Sequence, residues 1–211
     1  MASTLVYQDE RDQFDSIFDQ ALRLDRSPAT MARLEKNFKR NFMTKMRKYG
    51  AMAWAIETER TSAGISDAYC LMNGSAFWIE FKVSPHIIGS TSKPRYQPYQ
   101  RRWMLDNMIN GGNSLVGIRY MNGYAFVRAD AICMTTGGIP FDDERYSDYY
   151  IAMRTFDPDY LGNWVMRVFD RTKYPLLVNK VLEKKYNGKA GDGSDEYPDD
   201  RTVEPMDRES D

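Results

Sequence analysis

The sequence predicts a mixed α/β fold, one sheet flanked by helices, and three observations predict it. Short strand-like runs recur at 51–59, 67–72, 76–83, 115–118 and 124–127. Apolar residues spaced as on a helix face occupy 28–49 and 99–110, before and between those runs. Asn73-Gly74 and Asn122-Gly123 each separate two of the runs, and Asn-Gly is the strongest short-range signal for a hairpin. The predicted order is therefore helix, three-stranded meander, helix, two further strands.

With 211 residues, 42% of them hydrophobic, the chain is long enough for one sizeable core with appendages and cramped for two. A net charge of −1 hides an asymmetry. Residues 191–211 hold nine acidic and two basic groups, which leaves a net of +6 on the rest. A basic body with an acidic tail fits a protein that binds a polyanion and is tuned by its own tail; a solvated tail with no role is the alternative. Cys70 and Cys133 are the only cysteines and lack metal-ligand spacing, which argues against a disulfide framework or a zinc site. The first residues show no basic start with an apolar run, and nowhere do eighteen apolar residues follow one another. Neither secretion nor a membrane span is expected, and a reducing cytoplasm is.

Taken in order, Phe14, Ile17, Phe18, Ala21 and Leu22 recur at helical spacing, an amphipathic helix that packs on the core or on a second subunit. Ser27-Pro28 reads as N-cap and first helical position. The helix that follows runs to about Tyr49-Gly50 with Met31, Leu34, Phe38, Phe42 and Met46 as its stripe, and Glu35 borders that stripe. Glu35 is the only acid among eight basic residues between Arg26 and Lys48, Lys36, Lys39 and Arg40 among them. Such a helix suits a phosphate backbone, each cation releasing counterions; plain solvation of a surface helix is the alternative. Trp54 and Ile56 mark the first strand, which ends in Glu57 and Glu59.

A loop of about a dozen residues follows Val83 and holds the single histidine, His86, for which no catalytic partner is evident. Lys93, Arg95, Tyr96, Tyr99, Arg101 and Arg102 form the densest basic and aromatic cluster, suited to clamping phosphates with stacking on a splayed base. The next helix carries Gln100 on its first turn, turns Trp103, Met104, Met108 and Ile109 inward, and stops at Gly111-Gly112. Beyond Asp130 the pattern is helical, one helix starting at Asp157-Pro158 and another marked by Leu176 to Leu182. The expected division is an N-terminal helical extension over 1–30, the core over 31–130, a helical region packed on it over 131–186, and a disordered acidic tail over 187–211.

The candidate chemistry lies in the first hairpin. Alternation puts Trp78, Glu80 and Lys82 on one face of a strand and Phe77, Ile79, Phe81 and Val83 on the other. With Asn73 and Gly74 as the two turn residues, Met72 faces Ser75, Tyr69 faces Trp78, and Asp67 faces Glu80. Opposed carboxylates repel unless something stands between them. A hard divalent cation such as Mg²⁺ takes one or two carboxylates and keeps water and phosphate oxygens for its other positions. Lys82 would point at the same water or phosphate. A solvated hairpin face carrying Asp, Glu and Lys is the alternative.

At these residues the sequence resembles the PD-(D/E)xK nuclease superfamily, and within it the phage and bacterial VRR-NUC or Holliday-junction-resolvase-like branch. The resemblance covers roughly Met31 to Val127: a helix bearing Glu35, Gly64 to Asp67 entering a strand, a hairpin to Glu80 and Lys82, then Gln100 leading to Gly111-Gly112. Ser66 stands where the family pattern has Pro. The resemblance implies a restriction-endonuclease-like α/β core and a DNA endonuclease dependent on Mg²⁺ or Mn²⁺. It implies Asp67, Glu80 and the Phe81 backbone carbonyl as metal ligands with Glu35 as a further one, and Lys82 and Gln100 beside the nucleophile. Branched or junction DNA, a homodimer, and a phage-encoded or bacterial protein acting in the cytoplasm are implied too. A non-catalytic module on the same fold, binding DNA or protein, and a restriction-like or host-DNA-degrading duplex nuclease are the alternative functions.

Overall fold

The computed structural model describes residues 18, 20, 21, 23–56, 65–89, 96, 98–134, 141 and 144–177. Glu57, Glu59, Gly64, Lys93, Arg95, the expected second C-terminal helix beyond 177 and the acidic tail lie outside the described residues. Among the described residues six strands form one sheet in sequential order. They are β1 (Met52–Ala55), β2 (Ala68–Met72), β3 (Ser75–Val83), β4 (Ser114–Tyr120), β5 (Gly123–Arg128) and β6 (Tyr150–Met153). The helices described from end to end are α1 (Pro28–Lys48), α2 (Pro98–Ile109), α3 (Ala129–Met134) and α4 (Pro158–Val168), and residues 18, 20, 21, 23 and 24 are helical as well. Neighbouring strands are antiparallel except β3 and β4, which run parallel because α2 carries the chain back between them. The fold is the mixed α/β sheet expected, with the predicted element order.

Local chemistry explains the elements. Ser27 caps α1 by accepting the Thr30 N–H (3.3 Å), and Asp25 braces the cap through the Ser27 N–H and the Ser27 and Thr30 hydroxyls. Asn73 (φ 51°) and Gly74 (φ 77°) take the left-handed conformations that a type I′ turn requires. The second hairpin differs by one residue from the sequence reading. Tyr120 pairs with Gly123, so Met121 and Asn122 are the turn residues. Asn122 instead turns its side chain to the Ile88 N–H (2.7 Å), which fixes the loop after β3.

Helices cover the two sheet faces unequally. On one face α1 and α4 pack Phe38, Phe42, Met46, Leu161, Trp164 and Val168 against Phe77, Ile79, Phe81 and Phe126. Phe81 meets Phe38 and Phe42 at ring separations of 5.1 and 5.0 Å, nearly edge-on. On the other face α2 and α3 cover β4 and β5 through Met104, Met108, Ala129 and Ile132. Ile109, expected inward, is 48% exposed, because it sits at the last turn of α2 beyond the reach of β4. Phe18 is buried with Leu34 and Val83, so the N-terminal segment packs on the core at that point. No helix among the described residues is long and apolar enough to cross a membrane.

β6 and the 3-10 helix at Glu144–Tyr149 before it were not anticipated; the sequence reading has only helices beyond Asp130. Four residues at a sheet edge carry too little alternation to stand out.

Candidate active site beside strand β3

The hairpin register is the expected one as far as the ladder runs, with Met72 against Ser75, Tyr69 against Trp78 and Ala68 against Ile79. Asp67 comes one residue before β2 begins. Its Oδ2 accepts the Phe81 N–H (2.9 Å), which brings its carboxylate alongside Glu80. Within an antiparallel ladder the N–H and C=O of one residue face the same neighbour. The Phe81 carbonyl therefore faces the Asp67 side too. Because β2 has not started here, α1 reaches the gap from one sheet face and α2 from the other.

Glu80 is the hub. It is 1% exposed, and its Oε1 accepts from Lys82 Nζ (2.6 Å) and from Gln100 Nε2 on α2 (2.5 Å). Its Oε2 is buried with no hydrogen-bond partner among the described residues. Lys82 Nζ lies 3.7 Å from Glu35 Oε1 on α1 and 5.8 Å from the Tyr96 ring centroid. Lys39, one turn after Glu35, bonds Asp67 Oδ1 (3.3 Å) and the Ile56 carbonyl (3.5 Å). Three carboxylates and two lysines are thus gathered from α1, the start of β2 and β3, with Gln100 closing the cluster. The Lys39 contact was not foreseen, although Glu35 and Lys39 at i and i+4 share a helix face.

Burial dominates the electrostatics. It pushes the Glu80 carboxyl up to about 7 against the pull of Lys82, with Asp67 and Glu35 pushing further in the same direction. Glu35 is also raised, again chiefly by burial. For Lys82, burial pulls downward, but Glu80, Glu35 and Asp67 together hold it above the ordinary lysine range. Lys82 is therefore a firm cation in this state, a donor and not a base.

Among the described residues no three His, Cys, Asp or Glu side chains stand close enough to share a metal ion, since Lys82 separates Glu80 from Glu35 and Lys39 holds Asp67. A smaller donor set does fit a hard cation. Asp67, Glu80 and the Phe81 carbonyl offer oxygen only, which suits Mg²⁺ or Mn²⁺. The unpartnered Glu80 Oε2 is the observation in favour, for a buried carboxylate oxygen left unsatisfied costs roughly 1–3 kcal/mol.

The other candidates are placed around this cluster. Lys36 and Arg40 are exposed on α1, Arg40 touching Asn37 (3.1 Å). Tyr99 and Arg102 are exposed on α2, Arg102 lying 3.7 Å from Asp106, and Arg101 is half-buried. His86 is exposed, and its carbonyl accepts the Met121 N–H (3.0 Å). Ser66, at the position where the resembled pattern has Pro, is fully buried with no partner for its hydroxyl among the described residues.

No family model matches the chain, and no curated protein matches it in sequence. Among solved structures it is similar to Hjc, a Holliday junction resolvase from the archaeal hyperthermophile Archaeoglobus fulgidus. The identity is 13% and the TM-score 0.37, over 44% of this chain and 76% of that one. Similarity at that level says nothing about activity.

Proposed function

We propose that the chain is a divalent-metal-dependent DNA endonuclease that hydrolyses phosphodiester bonds, with branched or junction DNA as its substrate. The observation that carries this reading is Glu80, a buried carboxylate that gathers Lys82 and Gln100 on one oxygen and leaves the other unpartnered, with the Asp67 carboxylate near enough to raise its pKa. Asp67, Glu80 and the Phe81 carbonyl would hold Mg²⁺ or Mn²⁺, which would supply a Lewis acid for a phosphate oxygen and lower the pKa of bound water; Glu35 would join them as a further ligand only with Lys82 moved from between it and Glu80. The protein's own residues do the rest. Lys82, held protonated, donates to the nucleophile or to a phosphate oxygen and offsets the charge growing there. It can accept a proton only when the pull of the three carboxylates weakens and burial prevails. Gln100 fixes the Glu80 carboxylate, and Lys39 fixes Asp67. Lys36 and Arg40 on α1, with Arg101 and Arg102 on α2, are the phosphate contacts.

Paired incision of a junction calls for two copies of the site, hence a homodimer. A second reading is a binding module without catalysis. It is favoured by the two lysines, which already neutralise the carboxylates. Incubation of the protein with labelled four-way junction, flap and linear duplex, in Mg²⁺, Mn²⁺ or EDTA, separates these readings. Metal-dependent cutting strongest on the junction is expected. Cutting of linear duplex alone would leave a duplex nuclease, and no cutting of any substrate would leave the module.

A further inference from the structure

The sheet face that carries Glu80 and Lys82 bears an aromatic row. Trp54 lies directly across from Tyr69, and Tyr69 directly across from Trp78, in consecutive strands. Their ring centroids are 5.8 and 5.1 Å apart, and Trp103 of α2 continues the row 5.1 Å beyond Trp78. Cross-strand aromatic pairs stabilise a sheet on their own account. Three features go beyond that. Unlike β4 and β5, β1 and β2 have no described helix on this face, and Trp54 at the sheet edge is 44% exposed. Beside the row, toward the Asn73-Gly74 turn, is an open groove of about 430 Å³ whose walls include Tyr69, Ser75, Trp78, Gly112, Met166 and Asp170. The Asp170 carboxylate there is engaged by Thr172 (2.5 Å) and Lys173 (3.4 Å), and Arg171 donates to the Gly112 carbonyl (2.8 Å) behind the wall.

The row also leads to the reacting centre. Trp78 precedes Glu80 by two residues on the same face, a spacing of about 7 Å along a strand, close to one nucleotide step. On α2 the run Gln100, Arg101, Arg102, Trp103 places a Glu80 contact and a Trp78 contact three residues apart, with two arginines between them. We infer that this row and groove form a stacking platform for the unpaired bases of a single-stranded DNA segment next to the cleaved phosphate. This rests on the nuclease reading for the position of that phosphate. It narrows the branched substrates to those with a base splayed out of its pair at the incision, as at the exchange point of a four-way junction. Rings stack on any base, so the platform is indifferent to sequence.

The test is equilibrium binding in EDTA, followed by tryptophan fluorescence, to a short oligothymidine, an abasic strand of the same length and a duplex. Oligothymidine is expected to quench the fluorescence and to bind about tenfold more tightly than the abasic strand. Trp54→Ala and Tyr69→Leu are each expected to weaken oligothymidine binding about tenfold and to leave duplex binding unchanged. Trp54→Ala alters an exposed edge residue and keeps the comparison available if Tyr69→Leu does not fold. Equal affinity for base-bearing and abasic strands, or unchanged affinity in the variants, would overturn the platform. So would a dimer that Trp54→Ala dissociates, which would assign the face to a second copy. Cleavage plays no part in the assay, so failure of the nuclease reading and failure of the platform are separately visible.

Discussion

Glu80 makes the site both costly and useful. Its carboxyl, raised from 4.5 to about 7, keeps its proton in the folded chain through a window in which the unfolded chain has lost it. The stability this contributes is full below about 4.5 and is lost as pH rises through about 7. Urea unfolding should accordingly give a lower free energy at pH 8 than at pH 5, by up to a few kcal/mol, and Glu80→Gln should remove that part of the slope. An identical slope in the variant would place the titrating group elsewhere. Lys39 offers a second residue-scale check. Removing its ammonium from Asp67 leaves that carboxylate free for a cation, so Lys39→Ala should tighten Mn²⁺ binding by about 1 kcal/mol, roughly fivefold, in calorimetry. Unchanged binding would mean that Asp67 is no ligand.

At the scale of elements, the sheet depends on two features that pattern reading treats differently. Gly123 has a positive φ of 154°, and a Cβ there would lie 2.4 Å from the Met153 carbonyl oxygen, where β5 meets β6. Gly123→Ala should cost at least about 2 kcal/mol, read as a lowered urea midpoint. Arg128, fully buried, donates to both oxygens of Asp130 (2.7 and 2.6 Å) and to the carbonyls of Val168, Tyr174 and Pro175, so it pins the segment after α4 to the core. Arg128→Met leaves Asp130 buried without its cation and should destabilise by about 3–5 kcal/mol in the same experiment. The first hairpin was legible because Asn73-Gly74 fixes its turn and a one-residue slip would flip Glu80 to the core face. That register sufficed to bring Asp67, Glu80 and Lys82 together on paper. The Lys39–Asp67 pair, the Arg128 clamp and β6 were not legible. Each joins residues far apart in sequence, through contacts that no local period announces.

For the whole molecule, charge is the quantity that sequence reports directly. The acidic stretch 191–211 opposes a body that carries the basic face of α1. Its removal should tighten DNA binding at low salt and much less at high salt, as expected of a competing polyanion. Unchanged affinity would make it a bystander. α1, the β2–β3 hairpin and α2 meet around Glu80, Lys82 and Gln100, the site of the proposed metal-dependent cleavage. The most direct measurement is cleavage of a labelled four-way junction by the native protein, Glu80→Gln and Lys82→Ala in parallel, with Mg²⁺, Mn²⁺ or EDTA. Native cutting that needs the metal and falls at least about a hundredfold in both variants is the predicted result. Cutting in EDTA, or cutting undiminished in folded Glu80→Gln, would contradict the account.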